Sequence, residues 1–212
     1  MPHAMSFATL EDLKEINRWV SDGCLIPFAE EKFDPAQCLA DCSDGRRPHI
    51  KRWISETYYR RTEGCSRDDN LSIFRYSAHG IAMRFGLGNP LNPDDAAFNF
   101  LEPQLKQAQR FVNNGGIRQF NLLHHWPCGA AKEAGISLST SIAWALLSKA
   151  RLKHTRLFPE VSTLLWVDIG PDENAVYRMK LERFVNHFRQ SDLPLCLLFE
   201  QQRTLLGQTA AM

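Results

Sequence analysis

The run from Thr163 to Ile169 (Thr-Leu-Leu-Trp-Val-Asp-Ile) is apolar almost throughout. A strand wetted on one face alternates apolar and polar residues, whereas an unbroken apolar strand is buried on both faces. Burial on both faces needs helices above and below, and the chain supplies them between its other strand-like runs. Ile117 to Leu123 reads as a second strand that delivers His124 and His125 at its end. Leu71 to Ser77 alternates well enough for a third, while Pro35 to Asp41 is only weakly signalled. Gly170-Pro171 turns the chain, and Ala175 to Met179 returns as an antiparallel edge strand. Strands alternating with helices of this length predict an α/β fold, a mainly parallel β-sheet flanked by helices.

The helical stretches carry their own punctuation. Thr9-Leu10-Glu11-Asp12 has the form of a capping box, followed at helical spacing by Leu10, Leu13, Ile16 and Val20, with Trp19 beside them. Gly23 ends that helix, whose apolar stripe needs a surface in its own domain or in a partner subunit. Ile50 to Arg61 reads as a helix with Ile50, Trp53, Ile54 and Tyr58 on one side; its basic residues read as a solvated face. Phe98, Leu101, Leu105, Ala108 and Val112 trace another, stopped by Asn114-Gly115-Gly116. A long helix follows from about Ala130 to Leu152, broken near Gly135. Val185 to Gln190 is helical, and Leu193 to Phe199 is a last apolar run.

With 212 residues and no internal repeat, the chain reads as one domain. It divides into an N-terminal helical arm (1–32), a core (33–179) and a C-terminal extension (180–212). A net charge of +1 favours neither a nucleic acid nor a membrane surface as partner. No segment reaches the roughly 20 apolar residues of a membrane span. Met1 to Phe7 has no secretory pattern, so a cytoplasmic protein is expected. The six cysteines are scattered over the length, which reads as reduced thiols rather than a disulfide framework.

Ligands of open parallel sheets bind beyond the carboxyl ends of the strands. Two turns of chemical interest fall there, Cys42-Ser43-Asp44-Gly45-Arg46 and His125-Trp126-Pro127-Cys128-Gly129. If neighbouring strands bring the two together, Cys42, His125 and Cys128 form a Cys2His set. Such a set suits zinc and leaves a fourth tetrahedral position for water or substrate. Cys38 offers an alternative, a closed Cys3His site. On an extended segment, however, residues four apart are separated by roughly 13 Å. Asp44 and Arg46 can pair, holding the carboxylate beside a metal where it orients a nucleophile, or they form an ordinary surface ion pair worth about 0–1 kcal/mol.

The two turns together resemble the Cys-x-Asp-x-Arg and His-x-x-Cys-Gly motifs of the β-class carbonic anhydrases. The resemblance extends more loosely to Phe74-Arg75 and to the strand ending at Ile169, covering Phe33 to Met179. His124 stands where the family usually has glycine, Gly45 where serine is common, and Tyr76-Ser77 replaces an Asn-Ala pair. The chain also carries insertions around residues 55–70 and 85–98. The resemblance implies a zinc lyase that hydrates carbon dioxide reversibly to bicarbonate and a proton. Cys42, His125 and Cys128 would hold Zn2+, with Asp44 and Arg46 as the gating dyad. Zinc lowers the pKa of water to about 7, so a hydroxide nucleophile exists at neutral pH. His79 and His124 are the candidate proton shuttles. A homodimer or dimer of dimers is implied as well. The same constellation also serves a zinc hydrolase of carbon disulfide or carbonyl sulfide, or a silent relative that keeps zinc for binding.

Overall fold

The computed structural model describes residues 6–28, 37–42, 74–111 and 119–209. Their strands form one six-stranded sheet: β1 (Leu25–Pro27), β2 (Gln37–Asp41), β3 (Phe74–Ser77), β4 (Gln119–Trp126), β5 (Glu160–Asp168) and β6 (Asn174–Met179). The order across it is β1-β6-β5-β4-β2-β3. Strands β3, β2, β4 and β5 are parallel neighbours. Strand β6 runs antiparallel to β5, as expected, but it is not the edge. The three-residue β1 pairs antiparallel along its outer side and takes that place. A pairing so short shows no period in a sequence, and it exists because Leu25 meets Met179 across the ladder.

Successive strand residues face opposite ways, and the apolar clusters divide accordingly. Phe120, Leu122, Ala40 and Val161 pack with helix residues such as Phe98, Leu101 and Leu105. These belong to α3 (Ala96–Phe111), which follows the single turn α2 (Ile81–Arg84). Leu165 and Val167 pack instead with Ile142, Leu146, Phe184 and their neighbours. Leu39, Leu123, Leu164 and Trp166 point to the other face and form their own cluster. The central strands are therefore buried on both sides, which is why Glu160–Asp168 does not alternate.

The long helix divides where Gly135 enters the left-handed region at φ 65°. It gives the short α4 (Gly129–Glu133) and then α5 (Leu138–His154), capped by Ser137, whose hydroxyl accepts from the Thr140 amide. The C-terminal part is α6 (Leu181–Ser191) and α7 (Leu193–Thr209), so the apolar run from Leu193 to Phe199 is helical. The residues expected to form a helix between Ile50 and Arg61 lie outside the described residues.

The N-terminal helix, α1 (Leu10–Ser21), opens with the expected reciprocal capping box between Thr9 and Asp12. Ile16 and Trp19 are buried within the chain's own core, with the Trp19 ring edge-on to Phe184 at 5.3 Å. The Trp19 indole N–H donates to Nε2 of His187. Leu10, by contrast, is 69% exposed and lies off the packed stripe. No helix among the described residues is long and apolar enough to cross a membrane.

On α5, burial pulls the Lys149 ammonium down to about 8, with Lys153, Lys180 and Arg178 acting the same way against Glu182. Below pH 8 the folded lysine carries a charge that its surroundings disfavour, so the cost is fully present. It fades as pH rises from 8 towards 10.5, where the unfolded chain still holds the proton and the folded chain has lost it. Lys149→Met is therefore expected to stabilise the protein at pH 7 by roughly 1–3 kcal/mol. Urea unfolding at pH 7 and pH 10 checks this, with the gain shrinking at the higher pH.

Candidate metal centre

Parallel pairing of β2 with β4 places Asp41 opposite Leu123. The next residue of one strand, Cys42, and the second-next of the other, His125, consequently emerge at the same end of the sheet. Strand β4 continues to Trp126, a cis Trp126–Pro127 peptide follows, and Cys128 stands at the N-cap of α4. The ligand atoms of Cys42, His125 and Cys128 all lie within 4.8 Å of one another, and all three residues are buried. The three residues that the sequence grouped are thus brought together.

Whether a cation belongs there is tested by the imidazole itself. His125 is 1% exposed, yet neither ring nitrogen has a hydrogen-bond partner among the described residues. A buried polar group left unpaired costs about 1–3 kcal/mol. A metal ion at the common focus of the three ligand atoms relieves that cost directly. The thiols point the same way. The Cys42 thiol is held well below the usual range, chiefly by a hydrogen bond from Cys128, against the opposing effect of burial. His125 and the Gly80 amide act in the same direction. Cys128 is pushed up by that same bond and by burial. Metal binding requires both thiols to be deprotonated, and a cation that displaces their protons would complete the ligand set. Cys38 sits inside strand β2, so the extended backbone separates it from Cys42 by roughly 13 Å and the Cys3His alternative falls away.

His124 is one residue from a ligand but faces the other side of the sheet. Its Nε2 meets the Ser141 hydroxyl of α5 at 3.0 Å, and that hydroxyl donates to the Leu138 carbonyl. The hydroxyl proton is thereby committed, which assigns the shared proton to Nε2 of the imidazole. Burial, and secondarily the charge of His125, push the His124 imidazole down to about 3. It is a neutral structural pin between β4 and α5 and a poor proton carrier. His79, the other shuttle candidate, is exposed and lines a cavity of about 440 Å³ with Arg84, Gly129 and Glu133. Asp44 and Arg46 lie outside the described residues.

One feature of the site was not legible in advance. Asp41, fully buried beside Cys42, receives Nε and Nη2 of Arg75 at 2.9 and 2.6 Å and the Ser77 hydroxyl at 2.7 Å. An aspartate at the end of a buried strand requires a cationic partner, and that requirement was the available signal. The partner's position follows only from the register of β2 with β3. The next residues after β3 continue the support: Ala78 N–H donates to the Asp41 carbonyl, and Gly80 N–H reaches Cys42 Sγ at 3.4 Å. Gly80 sits at φ 62°, and a Cβ there would fall 3.1 Å from Ala130 Cβ, so only glycine brings this amide to the thiolate without strain.

The chain matches no protein-family model, and a search of curated proteins finds no match. The metal reading accordingly stands on the geometry of the three ligands. Purified protein is expected to carry about one divalent ion per chain by elemental analysis, and Cys128→Ser to lose it. Stripping the ion with a chelator should lower the thermal midpoint, because the ion binds only the folded arrangement.

Proposed function

We propose that the protein is a zinc lyase of the β-carbonic anhydrase kind, interconverting carbon dioxide and bicarbonate. The observation that carries the proposal is the buried Cys42–His125–Cys128 cluster. Two soft thiolates and one imidazole are a ligand set for zinc, and three protein ligands leave a fourth position for chemistry. The motif resemblance then selects the reaction, since both turns bear the residues that the family uses. Zinc held there supplies Lewis acidity, which makes water acidic enough to lose its proton near pH 7.

The remaining work falls to the chain. Cys42, His125 and Cys128 fix the site on the ends of two paired strands, so the centre is held by the most buried part of the sheet. On the motif resemblance, Asp44 and Arg46 would form the dyad that accepts a hydrogen bond from the attacking oxygen and orients it towards the carbon. Water adds to carbon dioxide, forming one C–O bond and releasing one proton as bicarbonate is made. His79, exposed on the rim of the cavity beside Gly129, passes that proton to solvent through its ring nitrogen. His124 is excluded from this role by its burial and its bond to Ser141.

The resemblance also carries the proposal of a homodimer. Ile16 and Trp19 of α1 are already used inside their own chain, which leaves Leu10 as the apolar residue of that helix available to a second copy.

Stopped-flow hydration of carbon dioxide between pH 7 and 9 is the test. Wild-type protein with zinc is expected to be active, and Asp44→Asn to lose on the order of 10²-fold in kcat through misorientation. Zinc-loaded protein that shows no hydration across this range would overturn the proposal.

A further inference from the structure

The segment from Arg75 to Gly80 meets the end of β2 at four places. Arg75 grips the Asp41 carboxylate with two nitrogens, and Ser77 donates to the same carboxylate. Ala78 N–H binds the Asp41 carbonyl, and Gly80 N–H binds the Cys42 sulfur. Asp41 is fully buried and one peptide away from Cys42. Its carboxylate accepts three hydrogen bonds from these side chains, and Arg75 reaches it from a position that is one-third exposed. A bidentate guanidinium–carboxylate pair fixes distance and plane at once. A lysine in place of Arg75 keeps the charge and loses that plane.

We propose that Asp41 and Arg75, with Ser77, are positioning residues for the metal ligand Cys42. They hold the peptide that carries its thiolate and thereby set how tightly the centre keeps its ion. The inference rests on the metal reading of Cys42, His125 and Cys128, and it is independent of which reaction the ion performs. Groups that hold ligands in place typically contribute 10- to 100-fold in metal affinity. Among the described residues there is another partly buried pair of the same chemistry, Arg151 with Asp95. Arg151 also lies over the Phe98 ring and donates to the Phe85 carbonyl. That pair ties α5 to the start of α3 and touches none of the three ligands, so it reports what loss of a partly buried ion pair does to the fold alone.

The experiment loads wild type, Arg75→Lys, Asp41→Asn, Ser77→Ala and Arg151→Lys with zinc and follows transfer to 4-(2-pyridylazo)resorcinol. Cobalt-loaded samples are compared by their thiolate-to-metal absorption bands. Arg75→Lys and Asp41→Asn are expected to release zinc about 10- to 100-fold faster than wild type, and Ser77→Ala less so. Their cobalt bands should shift. Arg151→Lys should melt earlier but keep the wild-type release rate and spectrum. Should Asp41→Asn fail to fold, Arg75→Lys and Ser77→Ala decide. Unchanged release in those variants, or equal acceleration in Arg151→Lys, would overturn the proposal. Wild type that holds zinc without hydrating carbon dioxide removes the lyase reading, and the same release rates still judge the clamp. Wild type that takes up neither zinc nor cobalt overturns both.

Discussion

The parallel pairing of β2 with β4 is the constraint on which everything else at the site depends. It sets Asp41 opposite Leu123 and so brings Cys42, from the first third of the chain, to the turn that bears His125 and Cys128. A slip of one residue would turn every side chain of β2 to the other face. That slip is resisted on both faces, by Ala40 in the cluster shared with Phe120 and Leu122 and by Leu39 in the cluster shared with Leu123 and Trp166. Precision at the metal centre is therefore a consequence of core packing in the middle of the sheet.

Around this centre two buried polar side chains find partners, whereas both ring nitrogens of His125 and the neighbouring Trp126 indole N–H have none among the described residues. Asp41 is answered by Arg75 and Ser77, and His124 by Ser141. His125 is equally buried and has no partner on either ring nitrogen among the described residues. Native interiors seldom leave such groups unpaired, and the two thiols within 4.8 Å could serve as the other ligands of an ion. The two adjacent histidines thus have opposite assignments, one pinning strand to helix and one left for metal.

Much of the fold was readable because its signals are local. The unbroken apolar run ending at Ile169 needs burial on both faces, Thr9 and Asp12 cap each other, and Gly135 breaks a helix by its own positive φ. The metal turn was readable for the same reason, since His125 and Cys128 are three residues apart. What escaped depends on residues distant in the chain. Strand β1 is too short to show a period and is fixed by its pairing with Met179. The run from Leu193 to Phe199 fits either strand or helix by composition. Its helical identity comes from packing, which buries Leu195, Cys196 and Phe199 and leaves Leu193 and Leu197 exposed. The Asp41–Arg75 clamp was hidden in the same way, because it is set by the register of two strands that share no sequence signal.

The Cys42–His125–Cys128 ligand set is read most directly by X-ray absorption at the zinc edge. It predicts two sulfur neighbours at about 2.3 Å, one imidazole nitrogen at about 2.0–2.1 Å and one further light-atom ligand. A spectrum with one sulfur or none, or with three or four, would contradict it.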